Sequence, residues 1–90
     1  MIAVYVVTKN MTAEQHTKGR ARLQEAGAPE GAMKVHSCFG EEGALQVFDI
    51  WETQEAWDEF LTYLQPIMGE LGIELAQPPV IMPVVDLLQQ

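Results

Sequence analysis

The sequence contains only one cysteine, Cys38, among its 90 residues. It therefore cannot form a disulfide within one chain, and no second cysteine or pair of histidines stands at the spacing of a zinc site. We expect no metal site. A reducing compartment suits a chain without disulfides, so we predict a cytoplasmic protein.

Basic residues are also scarce: the chain has five Lys and Arg against 13 Asp and Glu, a net charge of −8. All five basic residues lie within the first 34 positions. Nucleic-acid binding draws its affinity from Lys and Arg that neutralise phosphates. We therefore expect no binding to DNA, RNA or anionic membrane surfaces.

Long hydrophobic runs are missing too, since no apolar segment approaches the roughly 18 residues of a membrane-spanning helix. The apolar start, residues 1–7, has no basic flank and is too short for a signal peptide, which favours a strand. A chain of this length makes one domain with a thin core, residues 1–90, and a second copy would add buried surface.

Hydrophobic periodicity and turn residues predict six elements. They are a strand over Ile2–Thr8, a helix over Ala13–Ala26, strands over Met33–Phe39 and Ala44–Trp51, a helix from Thr53 to Gly72, and a strand over Val80–Leu88. Thr12 and Gln15 have the spacing of a capping box, and Gly40 to Gly43 form a hairpin turn. Pro66 predicts a kink or restart in the second helix, and Pro83 predicts an edge strand.

The element order β, α, β, β, α, β predicts an α+β, ferredoxin-like fold. In this fold a four-stranded antiparallel sheet carries both helices on one face. Its first and last strands are apolar on both faces, so the face without helices should exceed the apolar patch that a monomer exposes. We therefore predict a homodimer that packs sheet on sheet. The alternative is that both faces are apolar only because strands favour β-branched residues.

Several short motifs resemble a known family. They are Met11 to Gln15, Pro29 to Gly31, Asp49 to Thr53, Glu55 to Trp57, and Phe60, Leu64, Pro66, Leu71, Gly72 and Pro79. Together they resemble the dimeric α/β-barrel superfamily, in particular its small antibiotic-biosynthesis-monooxygenase-like proteins. The resemblance implies a dimer with a pocket for a flat apolar ligand in each subunit, between sheet and helices, and no cofactor.

The superfamily includes cofactor-free monooxygenases of aromatic polyketides, haem-degrading enzymes, polyketide cyclases and lactone isomerases, so the resemblance names no single reaction. The monooxygenases use a Trp with Asn, Tyr and Arg, but this chain has one Asn, Asn10, and no Arg after Arg22. The haem-degrading branch has a His on the second helix, which is absent here. We therefore assign neither of these two active sites to this chain.

Two residues are candidates for acid–base catalysis. His16 lies on the inward stripe of the first helix, where a neutral imidazole can act as a general base. The alternative is a partly buried histidine with one hydrogen-bond partner. Asp49 lies in the middle of a strand, where an ionised carboxylate needs a partner. It is either a pocket acid or one end of a hydrogen bond across the dimer.

Four further residues are candidates for binding the ligand: Tyr5, His36, Trp51 and Tyr63. The aromatic rings offer flat surfaces, whereas Trp57, at helical spacing, is better explained as core. His36 and Cys38 share one face of a strand but lie too far apart for a direct hydrogen bond, so a small buried thiol is expected instead of a nucleophile.

The sequence leaves two functions open. One is a cofactor-independent enzyme, a monooxygenase or a cyclase, that acts on an apolar or polyketide-like molecule with His16 as proton acceptor. The other is a non-catalytic dimeric binding module. A cavity that reaches His16 and is lined by Tyr or Trp favours the enzyme, whereas a packed interior with His16 bonded to the backbone favours the module.

Overall fold

The elements follow the predicted order in the computed structural model, which describes residues 1–89. They are β1 (Ile2–Val7), α1 (Ala13–Glu25), β2 (Met33–Glu41), β3 (Ala44–Trp51), α2 (Gln54–Glu70) and β4 (Val80–Pro83). The fold class is therefore the predicted ferredoxin-like α+β arrangement. Neither helix of the described residues has the length and hydropathy needed to cross a membrane.

Side-chain caps fix where both helices begin. The Thr12 hydroxyl accepts from the Gln15 N–H at 3.1 Å, and the Gln15 side-chain oxygen accepts from the Thr12 N–H at 2.8 Å, which completes the predicted capping box. Thr53 caps α2 by accepting from the Ala56 N–H at 3.1 Å. The starts of both helices are thus encoded locally.

Of the kink or restart predicted at Pro66, the restart is wrong, because α2 continues from Gln54 to Glu70 with this proline inside it, and the kink stays a prediction. An interior proline costs a helix about 3 kcal/mol. However, α2 buries Trp57 and Phe60 before the proline and Ile67 after it. Burying a large apolar side chain contributes about 1.5–3 kcal/mol, so three of them outweigh the cost of the proline.

The strands form one antiparallel sheet in the order β2-β3-β1-β4. This order places β4 at an edge, as Pro83 predicts. The strand is shorter than predicted: it ends at Pro83 and does not reach Leu88. Proline has no N–H to extend the ladder, and one backbone bond follows it, from the Val84 N–H to the Met1 carbonyl at 3.0 Å.

The core lies between the two helices and one face of the sheet, which confirms that both helices cover the same face. It contains Val4, Val6 and Trp51 from the sheet, Leu23 from α1, and Trp57, Phe60 and Ile67 from α2. The aromatic rings pack closely, with the centroids of Trp51 and Phe60 4.8 Å apart. Most of the helical contribution to the core thus comes from α2.

The opposite face of the sheet is also rich in apolar side chains. Because side chains alternate along a strand, Tyr5 and its cross-strand neighbour Phe48 lie on this face, as does Ile50. Phe39 and Met82 are 43% and 51% exposed. We call this surface the open face. It is the face on which the sequence predicts a second copy.

Candidate functional site

A cavity of about 80 Å³ lies between the helix-covered face of the sheet and the two helices. Its α2 wall is entirely apolar. That wall consists of Trp57, Phe60, Leu64, Ile67 and Met68. The titratable and charged residues that line the cavity all come from α1, β2 and β3; they are His16, Arg20, His36 and Asp49. The cavity is therefore an apolar space with one ionisable side.

Three of these residues form a continuous chain of side-chain contacts. The Nδ1 atom of His36 lies 2.7 Å from Oδ1 of Asp49, and the Nε2 atom of His36 lies 3.2 Å from Nε2 of His16. The two imidazole rings are nearly parallel, with an interplanar angle of 4°. We call this set the Asp49–His36–His16 chain. It reaches from the interior of the sheet to α1.

Asp49 is the buried end of the chain, with only 5% of its surface exposed. Its second oxygen, Oδ2, accepts a longer hydrogen bond from the Trp51 indole N–H at 3.4 Å. Both carboxylate oxygens thus have a donor, which satisfies the requirement of a buried charge for partners. The two alternatives for Asp49 were a pocket acid and a bond across a dimer. The structure places it in the cavity.

The register of the β2–β3 hairpin brings His36 and Asp49 together. The strands are joined by the two-residue loop Glu42–Gly43, and Gly43 has the positive φ of 89° that such a tight turn requires. Counting back from the last pair sets His36 opposite Asp49. The bulge in β2 lies between Met33 and Val35, beyond this pair, and does not disturb it.

The cap of α1 positions His16 at the other end of the chain. The His16 backbone N–H donates to the Thr12 carbonyl at 3.0 Å, so this histidine belongs to the first turn of the capped helix. Arg20 follows one turn later and also lines the cavity. The Arg20 guanidinium donates to both oxygens of Glu30, at 2.7 and 3.4 Å, which fixes a cation near His16.

The surroundings of His16 favour its neutral form. Burial lowers the pKa of His16 below its ordinary value of 6.5, and the nearby His36 and Arg20 lower it further, while Asp49 opposes them. Burial, followed by the charge of Asp49, raises the pKa of the Cys38 thiol. A half-buried thiol with a raised pKa is a poor nucleophile, in line with the sequence analysis.

Of the six predicted site residues, the structure brings three together in the cavity: His16, His36 and Asp49. The other three do not line it. Tyr5 lies on the open face and donates its hydroxyl hydrogen to Gln46. Trp51 is fully buried in the core, and Tyr63 is half-buried against that core. Only Trp51 touches the site, through its bond to Asp49.

Two residues of the site, Arg20 and Trp57, were not among the predicted site residues. Arg20 lies four residues after His16, on the same helical face, and that spacing is a signal that would have found it. Trp57 was assigned to the core; it is 2% exposed and also lines the cavity. A side chain at the boundary between core and cavity belongs to both.

A second apolar cavity, of about 90 Å³, adjoins the first. The two share Val6, Trp57, Leu64 and Met68 in their walls. Leu75 and Pro79 line the far side of the second cavity. The second cavity therefore lies beside the first, separated from it by these shared side chains, on the side of the residues that lead from α2 to β4.

Comparison with known proteins gives a fold but no close relative. No family model matches the chain, and no curated protein matches it. Solved structures match over nearly the full length at low identity. The cofactor-independent oxygenase SnoaB from Streptomyces nogalater is 13% identical over 99% of this chain and 97% of that chain, with a TM-score of 0.67.

Other structures share the same fold. A Chloroflexus aurantiacus protein described as an antibiotic biosynthesis monooxygenase is 13% identical over 99% of this chain and 98% of that chain, with a TM-score of 0.65. The regulatory subunit of aspartate kinase from Thermus thermophilus is 13% identical over 91% of this chain and 50% of that chain, with a TM-score of 0.57. The predicted resemblance is thus confirmed for the fold, which also occurs in a regulatory subunit.

Proposed function

We propose, starting from the fold of the antibiotic biosynthesis monooxygenases, that this protein is a cofactor-independent enzyme acting on a flat, apolar, polyketide-like molecule. Its reaction begins with the removal of a proton by His16, as in a monooxygenase or a cyclase. The observation that carries the proposal is the position of the Asp49–His36–His16 chain at one side of a cavity whose α2 wall is apolar. Apolar pockets with a few convergent polar groups are typical of small-molecule sites.

Deprotonation is the step that such a site can catalyse without a cofactor. A half-buried His16 with a lowered pKa is neutral and free to accept a proton. The product is a phenolate or an enolate, whose negative charge the nearby Arg20 stabilises. An electron-rich phenolate reacts with dioxygen, whereas an enolate adds to a carbonyl of the same molecule. The apolar wall of α2 holds the flat substrate in place for either reaction.

The size of the cavity bears on the ligand. Pockets for drug-sized ligands usually enclose about 300–1,000 Å³, more than the 80 Å³ found here. The adjoining cavity adds about 90 Å³, and the shared wall includes Leu64 and Met68. Met is the most adaptable apolar side chain, so a ligand can displace Met68 at low cost. We propose that the substrate extends through both cavities.

We propose that the working unit is a homodimer formed through the open face. Phe39 and Met82 on this face are about half exposed, and Val85 and Leu88 after β4 are 99% and 81% exposed. Burying these apolar side chains against a second copy contributes favourable free energy to association. Sedimentation equilibrium at micromolar concentration tests the dimer, and a stable monomer would contradict it. A cytoplasmic location remains part of the proposal, since it is inferred from the lone Cys38.

The second candidate function is the non-catalytic binding module. The small cavity favours it, as does the occurrence of the fold in the regulatory subunit of a kinase. Two features support the enzyme instead: the cavity reaches His16 and is lined by Trp57, and the His16 ring bonds to His36 and not to the backbone. A cavity that reaches His16 and is lined by Trp is the arrangement expected of the enzyme, whereas His16 bonded to the backbone is the one expected of the module.

Turnover of polycyclic phenols, such as anthrones and naphthols, tests the proposal. Oxygen uptake reports the monooxygenase reaction, and mass spectrometry of the products reports cyclisation. We expect His16→Gln to lower the rate by about 10²–10⁴-fold, the usual contribution of a general base. Lys18→Gln, on the exposed side of the same helix, is the matched control and should leave the rate unchanged. Ligand binding without turnover in the wild-type protein would favour the module.

A further inference from the structure

We infer that the Asp49–His36–His16 chain is a directional proton relay, in which Nδ1 of His16 takes the proton and His36 receives the proton that His16 gives up from Nε2. In this relay Asp49 is a positioning residue that selects the form of His36 able to accept. The inference rests on the proposed function for its catalytic meaning. The arrangement of hydrogens that it requires is a property of the resting protein and can be measured without a substrate.

The arrangement of hydrogens follows from the two contacts of His36. An ionised carboxylate only accepts hydrogen bonds, so the contact of 2.7 Å to Asp49 requires the hydrogen on Nδ1 of His36. A neutral imidazole carries one N–H, so Nε2 of His36 is an acceptor. The hydrogen in the Nε2–Nε2 contact of 3.2 Å therefore belongs to His16. This leaves Nδ1 as the basic nitrogen of His16.

The basic nitrogen of His16 is accessible. Of the two ring nitrogens of His16, only Nε2 has a hydrogen-bond partner within residues 1–89. No side-chain nitrogen or oxygen of these residues is both buried and without a partner. Nδ1 is therefore open to solvent or ligand, and His16 itself lines the cavity. A substrate hydroxyl can replace the solvent at this atom.

The transfer balances without a further reactant. The substrate O–H or C–H bond breaks and its proton bonds to Nδ1 of His16, while the electron pair stays on the substrate as an anion. The N–H bond at Nε2 of His16 breaks, and that proton bonds to Nε2 of His36. His36 becomes an imidazolium that still donates from Nδ1 to Asp49, and His16 is neutral again as the opposite tautomer. One anion and one cation have formed from two neutral groups.

The surrounding charges favour His36 as the final holder of the proton. His36 contacts the carboxylate of Asp49 directly, and Asp49 is only 5% exposed, which strengthens that attraction. His16, in contrast, lies on the same helix as the fixed cation Arg20. From α2, no titratable residue among those described lines the cavity. These charges therefore favour a proton on His36, beside Asp49 of β3, over a proton on His16 of α1.

Nitrogen-15 NMR of the imidazole rings tests the relay in the wild-type protein. The chain has two histidines, and the spectrum of His16→Gln assigns them. In mildly alkaline solution we expect His36 to carry its hydrogen on Nδ1 and His16 on Nε2. A hydrogen on Nε2 of His36 or on Nδ1 of His16 would overturn the relay. Because no substrate is present, this outcome is independent of whether His16 is the catalytic base.

Asp49→Asn tests the role of the carboxylate. A carboxamide can donate to Nδ1 of His36, which moves the ring hydrogen to Nε2 and blocks acceptance from His16. We expect both tautomers to invert and turnover to fall by about 10²-fold or more, with ligand affinity retained. The exposed Asp58→Asn on α2 is the matched control and should change neither. Wild-type tautomers in Asp49→Asn would overturn the positioning role, as would full turnover in that variant.

Discussion

The two helices cover the same face of the sheet but differ in what they contribute. α2 buries Trp57, Phe60 and Ile67, whereas α1 buries Leu23 alone. α1 instead carries His16 and Arg20 into the cavity, where α2 presents only apolar side chains. One helix therefore contributes most of the helical core, while the other brings two of the four ionisable groups to the cavity. The helix that contributes less to the core is the one that can keep polar groups beside a cavity.

This division follows from the cost of burying polar groups. A helix packed as fully as α2 would have to bury a histidine and an arginine without solvent, which requires a partner for each polar atom. On α1 the partners are few and specific: His36 for His16, and Glu30 for Arg20. Loose packing and chemistry are thus two consequences of one sequence pattern. The comparison predicts that truncating a core side chain of α2 lowers the free energy of unfolding strongly, whereas substitutions in α1 change it little.

The largest expected effect is that of Trp57→Ala in α2. Trp57 is 2% exposed and contacts Trp51 and Phe60, so its truncation leaves a large void. We expect the free energy of unfolding to fall by about 3–5 kcal/mol, measured by urea denaturation. Trp57→Phe retains a ring and should cost less. A loss for Trp57→Ala below about 1 kcal/mol would contradict the assignment of stability to α2.

A smaller effect is expected from Thr12→Ala, which removes the cap of α1. The Thr12 hydroxyl accepts from the Gln15 N–H, and loss of such a cap costs about 1 kcal/mol, within a range of about 0.5–2. Thr17→Ala, on the exposed side of α1, is the matched control and should stay within about 0.5 kcal/mol of the wild type. Equal effects of the two substitutions would show that the cap does not hold α1 in place.

Most of the fold could be predicted from the sequence, because its signals are local. The aromatic spacing of α2 and the capping box of α1 each depend on residues a few positions apart. The errors occurred where tertiary contacts decide. The apolar run after Pro83 has the composition of a strand, but the hydrogen-bond ladder ends at this proline. At Pro66 the burial of the flanking residues overrides the local preference to break the helix.

The site was harder to predict, because its central contact depends on strand register. Asp49 and His36 were each singled out, but nothing local shows that they face one another. A two-residue loop at Glu42–Gly43 sets that pairing, whereas the sequence was interpreted as a four-residue turn starting at Gly40. Tyr5 was placed in the pocket because an aromatic ring suits a flat ligand. Its face of the sheet is fixed only by pairing with Phe48.

Gly19→Ala is expected to raise the free energy of unfolding, unlike the substitutions at Trp57 and Thr12. In the interior of a helix, alanine is more favourable than glycine by about 1 kcal/mol. A Cβ atom at this position would meet Cδ1 of Leu71 at 3.6 Å, an ordinary contact, so no strain offsets the gain. We expect a stabilisation of that size in denaturant unfolding. Gly31→Ala, where a Cβ meets nothing within 4 Å and no helix benefits, is the control. A destabilised Gly19→Ala would mean that α1 is packed more tightly than its single buried residue indicates.

The smallest expected effect is on the pH dependence of stability, because His16 is only half-buried. Its pKa is lowered in the folded protein, by burial first and then by His36 and Arg20, with Asp49 opposing. Below a pH of about 6.5 the unfolded chain therefore binds a proton at His16 that the folded chain does not. The free energy of unfolding should fall as pH decreases from this value to the lower folded pKa, and should not depend on His16 above it.

His16→Gln isolates this contribution, since it removes this imidazole and leaves every other titratable side chain in place. Urea denaturation across that pH window should show the wild type losing stability relative to His16→Gln as pH decreases, while Lys18→Gln follows the wild type. The opposite slope would mean that the attraction of Asp49 for a charged His16 exceeds the effects of burial and of Arg20. In that case the pKa of His16 would be raised in the folded protein, and the charged fraction of this histidine, which cannot accept a proton from a substrate, would be larger.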